Sequence, residues 1–140
     1  MSASNSLENS LLDHSLRYGT APFTAASTLY LALFTSPDSA GGTLEDLEEG
    51  TLTNEVSGNG YSRQTIAFGA ASDGQSQGPT GSAVTFTASG GSFGEVTHIA
   101  IMDAATAGTV YYAGSLQTAK QVDDGDSLQF AVNSITITMS

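Results

Sequence analysis

Two histidines, three cations and two short carboxylate clusters are the residues from which this chain could build chemistry. His14 follows Asp13, and His98 sits in Val96-Thr97-His98-Ile99. Neither has beside it the nucleophile and orienting acid that nucleophilic hydrolysis must bring together, so each reads as a surface or hydrogen-bonded packing residue. The run Glu45-Asp46-Leu47-Glu48-Glu49 and the turn Asp123-Asp124-Gly125-Asp126 gather carboxylates, yet the run lacks the alternating ligands and glycine of a calcium loop. It reads as a solvated charge run that Leu44, Leu47 and Leu52 anchor, as one helical turn. The aspartates of the turn are accounted for by side chains that bond their own backbone. Gly58-Asn59-Gly60 and Gly90-Gly91-Ser92-Phe93-Gly94 lack both a following Lys-Ser/Thr and a helix to supply amides, so neither is a phosphate loop. The expectation is no catalytic residue, no metal and no cofactor.

Arg63 is the cation with the most to say. It lies in Glu55 to Ser72, which opens with Ser57-Gly58-Asn59-Gly60 as a tight turn. From Tyr61 the residues alternate, Tyr61, Arg63, Thr65 and Ala67 against Ser62, Gln64, Ile66 and Phe68, until Gly69 ends the run. That predicts a strand with Ile66 and Phe68 toward the core. Arg63 is either an ordinary surface salt bridge or a buried or inter-subunit guanidinium that pairs with one of the many carboxylates.

Composition bounds the rest. At 140 residues the chain suits a single domain, 1–140, and without cysteine it must rest on packing. Three cations against 14 acids give a net charge of −11, which repels phosphate backbones and anionic lipid. No nucleic-acid partner and no membrane association are expected, and neither a span nor a signal peptide is evident.

The elements follow from periodicity. Ser4 to Tyr18 predicts one amphipathic helix within residues 1–19: Asn5 caps with Glu8, Leu7, Leu11, Leu12 and Leu16 form a stripe, and Gly19 stops it. This helix either covers one end of a β core or docks on a neighbouring subunit. After a linker from Thr20 to Ser27 with Pro22, a β-sandwich is expected over 28–140, interrupted by an acidic loop over 38–54. Thr28 to Thr35 is apolar on both faces, Leu29, Leu31 and Leu33 against Tyr30, Ala32 and Phe34, as befits a central strand buried on two sides. Further strands are predicted over Ser82 to Ala88, Glu95 to Asp103, Thr109 to Leu116 with a bulge at Gly114, Thr118 to Val122, and Ser127 to Met139. Alternation places His98 on the face of Val96. The last strand changes parity at Asn133-Ser134, a bulge or bend that lets it serve two sheets. The fold class is therefore mainly β: an antiparallel β-sandwich, jelly-roll or immunoglobulin-like, with one N-terminal amphipathic helix.

Glu55 to Gln64, Leu29 to Thr35 and Val96 to Ala104, in this order and spacing, resemble a family of small tailed-bacteriophage virion proteins commonly labelled phage tail fibre protein. The resemblance runs from the Asn9 to His14 segment to the Gly125-Asp126 turn and the final strand. It implies a non-enzymatic structural protein on the exterior of the phage particle, made in the host bacterial cytoplasm, with other virion proteins as partners. Compactness and the lack of an internal repeat favour a globular head-decorating (cement) protein on the major capsid protein. A tail fibre or tail-tip component bound to tail proteins is the alternative, and a small hydrolase or carbohydrate-binding module is the lesser one. Apolar pattern in excess of one sandwich interior predicts a homo-oligomer, a trimer by analogy with decoration proteins. Its contacts are expected among Leu7, Leu11, Leu12, Leu16, Arg17, Tyr30, Phe34 and Arg63.

Overall fold

A computed structural model describes residues 1–17, 23–35 and 44–139, except for the side chain of Glu45. The expected helix stop at Gly19, most of the linker with Pro22, and the first part of the acidic loop, residues 38–43, lie outside these residues.

Alternating apolar residues build the layers. β2 (Leu29–Phe34) pairs with β3 (Gln64–Ile66) on one side and β6 (Gly94–Met102) on the other. β7 (Val110–Val122) and the two-residue β1 (Ser2–Ala3) complete an antiparallel sheet of order β1-β7-β6-β2-β3. Against one face lie two antiparallel ribbons, β4 (Gln75–Gly78) with β9 (Ile135–Thr138) and β5 (Val84–Thr87) with β8 (Ser127–Phe130). Val84 and Phe86, Leu128 and Phe130, and Ile135 and Ile137 point inward at period two to meet Leu31, Leu33, Ile99 and Ile101. This is the main core of a sandwich-like, mainly β fold.

The opposite face of the large sheet carries a second core. Ala32, Phe34, Ala100, Met102, Val110 and Ala113 are covered there by Leu47 of a short helix, with Leu44 and Leu52 at its margins. β2 is thus buried on both faces, as its composition requires. The covering element is helix α2 (Leu44–Glu48), drawn from the acidic run and anchored by the leucines expected to anchor it. α1 (Asn5–Leu16) stands beyond β7 at the sheet's edge.

Several expectations are corrected. The strand predicted from Tyr61 shrinks to Gln64–Ile66, with Tyr61 and Arg63 drawn inward onto Glu55 while Ser62 between them stays exposed. Ile66 is buried and Phe68 packs on the core, but so does Tyr61. The Gln/Gly loop from Ala70 to Gly81 contains β4, whose polar side chains hid a ladder made by its backbone alone. The two strands expected around Gly114 and Thr118 are one, β7. Its registers Val96 to Lys120 and His98 to Ser115 leave Thr97 opposite the four residues Leu116 to Ala119, so the irregularity sits there and not at Gly114. The same shift moves Val96 into the main core beside Ile99 and Ile101 rather than onto the face of His98. The parity change at Asn133-Ser134 is a break: Asn133 takes φ 60°, and β8 and β9 pair in separate ribbons.

Candidate functional site: a guanidinium clamp and an open helix face

Arg63 is held in the interior by every arm of its fork. Nε and Nη2 donate to Glu55 Oε1 and Oε2 at 2.6 and 2.7 Å, and Nη1 donates to the carbonyls of Ala104 and Ala107 at 2.8 and 2.7 Å. Its side chain is 3% exposed, that of Glu55 18%. Bidentate pairing with both carboxylate oxygens suits the planar fork, and a lysine could not reproduce it. The carboxylate raises the guanidinium's already high pKa, so this charge is permanent. Tyr61 extends the network. Its hydroxyl donates to Glu55 Oε1 at 2.9 Å and accepts from the Leu33 amide at 3.1 Å, while burial pushes the phenol up.

The clamp joins two neighbouring segments, the exit from α2 and the turn before β3, to the β6–β7 turn more than forty residues on. Ala107 has φ 51°, a conformation costly for a residue with a Cβ, and its carbonyl is aimed at the guanidinium. The two glycine-rich turns meet each other rather than a phosphate. Asn59 Nδ2 donates to the Ser92 carbonyl at 2.8 Å, and a Cβ on Gly91 would lie 2.6 Å from Asn59 Oδ1. Arg63 is thus the buried pairing foreseen as one of its two readings, with its partner inside the chain.

The histidines stay apart. His14 lies in the last turn of α1, and His98 Nδ1 lies 2.8 Å from Thr97 Oγ1. Thr97 donates its one hydroxyl proton to the Thr35 carbonyl at 2.8 Å, so Nδ1–H is the donor to Thr97. Burial lowers the His98 pKa. In the acidic turn Asp123 and Asp126 bond across it, and Asp124 Oδ1 accepts from the Gly90 amide at 2.9 Å. Among the described residues no group of three or more His, Asp or Glu side chains is placed to hold a metal ion, and no helix is long and apolar enough to cross a membrane.

The residues named as interface candidates divide. Phe34 is buried in the second core with Tyr30 packed against it, and Arg63 is buried in the clamp. Leu7 is 4% exposed on α1's inner side. The other half of the stripe faces outward: Leu12 is 55% exposed, Leu16 76%, and Leu11 partly buried. Arg17 ends the helix on the surface, 3.3 Å from Asp13.

The start of the helix is tied to the sheet. Ser4, not Asn5, is the N-cap, and its Oγ accepts from the Leu7 amide at 3.1 Å. The Ser4 amide donates to the Tyr111 carbonyl at 2.8 Å, at the residue where the β6–β7 ladder shifts register. Between α1 and the ends of β1 and β9 lies an open groove of about 710 Å³, lined by Met1, Leu11, Leu12 and Met139 with Glu8 among its polar residues. Met1 reaches it over Gly114, where a Cβ would come within 2.9 Å of the Met1 side chain. Sequence reasoning missed the contribution of Met139, which it placed only as the end of the last strand.

A comparison with curated proteins finds no match. A comparison with protein families matches residues 2–138, every described element included, to the family described as Podophage GP4 fiber I protein gp80. A chain whose sheet, ribbons, clamp and helix all fall within that match belongs to this family, and is a virion protein of the phage fibre type.

Proposed function

We propose that the protein is a non-enzymatic structural component of a phage tail fibre, exposed on the particle's exterior and bound to other virion proteins. The observation that carries this reading is the family match over residues 2–138, whose description names a fibre. That favours the tail alternative over the head-decorating role that compactness suggested, since a small β-sandwich serves either place. The site chemistry supports a structural role. The Arg63 fork is saturated by internal acceptors, and the histidines occupy separate elements without an acid–nucleophile set. Tyr61, Phe86, Phe93 and Phe130 pack their rings on one another within the main core rather than present faces for sugars. Self-association fits the exposed leucines of α1. The threefold order expected from the sequence rests on analogy with decoration proteins.

Quantitative protein analysis of purified particles tests the assignment. The expected result is a low copy number relative to the major capsid protein, as for other tail components. Abundance proportional to the capsid lattice would return the head-decorating reading, and absence from particles would remove both. An assay against polysaccharide, ester and peptide substrates should give no turnover; an activity lost in His98→Asn would overturn the non-enzymatic reading.

A further inference from the structure

Asn59-Gly60 is the one place in the chain where an asparagine is followed by glycine; Asn5, Asn9 and Asn133 precede serine and Asn54 precedes glutamate. Such a pair can react with itself. The glycine nitrogen has no neighbouring side chain to shield it, so it can attack the carbonyl carbon of the preceding carboxamide and close a five-membered imide. The bond between Gly60 N and Asn59 Cγ forms, and the Gly60 amide proton passes to solvent. The Cγ–Nδ2 bond breaks, and Nδ2 takes up a proton to leave as ammonia. Water then opens the ring at either carbonyl, giving aspartate or its backbone-shifted isomer, isoaspartate. Water is the only co-reactant, and Asn59 is exposed to it.

The fold opposes this closure at the carboxamide and at the main chain. Nδ2 donates to the Ser92 carbonyl at 2.8 Å, so the nitrogen that must gain a proton to leave is giving one away. Gly91 backs onto the same carboxamide: a Cβ built there would lie 2.6 Å from Oδ1, 2.7 Å from Cγ and 2.8 Å from Nδ2. Asn59 is held at φ 55°, its carbonyl accepts from the Ser89 amide at 2.8 Å, and the Tyr61 amide donates to the Gly58 carbonyl at 2.9 Å. Ring closure bends the side chain back onto its own main chain, so the carboxamide must first leave Gly91 and Ser92. We propose that Asn59 is a site of spontaneous deamidation gated by the junction of the two glycine-rich turns: closed, the junction preserves the asparagine, and open, it lets the chain change irreversibly. The product cannot rebuild the junction. An aspartate at position 59 sets a carboxylate oxygen against the Ser92 carbonyl where an N–H stood, on a loop that Asp124 already reaches through its bond to the Gly90 amide. Isoaspartate adds a methylene to the main chain two residues before Tyr61, and so loosens the approach of Tyr61 and Arg63 to Glu55.

Peptide mapping by mass spectrometry tests it on the full chain, held at mildly alkaline pH, where base removes the Gly60 amide proton, with and without denaturant. In denaturant Asn59 should convert first, ahead of Asn5, Asn9 and Asn133. In the folded protein its conversion should be slower by about tenfold or more. Gly91→Ala, whose Cβ displaces the carboxamide, should speed the folded-state conversion about threefold or more and leave the rate in denaturant unchanged. Asp124→Ala releases the Gly90 amide at an exposed position and is the milder route to the same opening, usable where the alanine at position 91 prevents folding. It should also speed conversion in the folded state. Equal rates at Asn59 in the folded and unfolded chain, no conversion there in denaturant, or folded variants as slow as the unsubstituted protein would overturn the proposal.

Discussion

The two helices put leucines to opposite uses. α2 is five residues long and comes from the most acidic stretch of the chain, yet Leu47 is 6% exposed and closes the second core over Phe34, Met102 and Val110. α1 is twelve residues long with a leucine stripe, yet only Leu7 among its residues is fully buried beyond the cap. The difference lies in where each meets the sheet. Behind α2 the chain is bonded turn by turn, Gly50 to Leu47, Thr51 to Asp46 and Glu55 to Leu52, and ends in the Arg63 clamp. α1 is tied to β7 at its entry through Ser4, and beyond its exit Phe23 sets its ring edge-on to Tyr111 at 5.7 Å. α2 lies on a face of the sheet and buries its leucine there, whereas Leu12 and Leu16 of α1 stay exposed at the edge.

The largest effect expected from breaking this contrast comes from the clamp. Arg63→Ala leaves Glu55 with only the Tyr61 hydroxyl and two carbonyls without the guanidinium that bonds them, and should cost about 3 kcal/mol or more in denaturant unfolding. Arg63→Lys should recover part of that, because an ammonium cannot span both carboxylate oxygens. A loss below about 0.5 kcal/mol, the level of an ordinary surface site, would show that the network does not tie α2 down.

Next comes the direct comparison of the leucines. Leu47→Ala should cost about 2–4 kcal/mol, as truncations in packed cores do, whereas Leu12→Ala should stay within about 0.5 kcal/mol. Equal costs would erase the distinction between the helices. Tyr61→Phe is a smaller probe, expected at about 1–2 kcal/mol because the Leu33 amide loses its hydroxyl acceptor and Glu55 a donor.

The smallest effect is in pH. Burial depresses the His98 pKa, so below about pH 6.5 the unfolded chain binds a proton more readily than the folded one. Stability should therefore fall as pH drops below that point, with His98 neutral and stabilising above it. Unfolding midpoints followed downward from neutral pH should show a slope that His98→Asn reduces. An identical slope in the variant would place the pH dependence on the carboxylates instead.

Much of the core was legible in the sequence because it follows period and composition. β2's apolar faces announced cover on both sides, Leu44, Leu47 and Leu52 were legible as anchors of the acidic run though not as that cover, and the parity slip at Asn133-Ser134 marked where β8 and β9 part. What escaped depended on geometry without a side-chain signal. β4 alternates glutamine with serine and glycine and pairs through its backbone, and the arch from Leu116 to Ala119 arises from a register shift that alternation cannot reveal. Arg63 invited a carboxylate, but Glu55 became its partner only once the Asn59 turn folded the chain back over eight residues. The leucine stripe was legible as a stripe. Which of its sides would be buried depended on where the register shift at Tyr111 freed a carbonyl for Ser4.

Immunogold labelling of intact particles bears most directly on the proposed place of the protein in a tail fibre. An antibody against this protein should decorate the tail-fibre region and leave the head unlabelled. Gold spread over the head shell, with none on the tail, would contradict it.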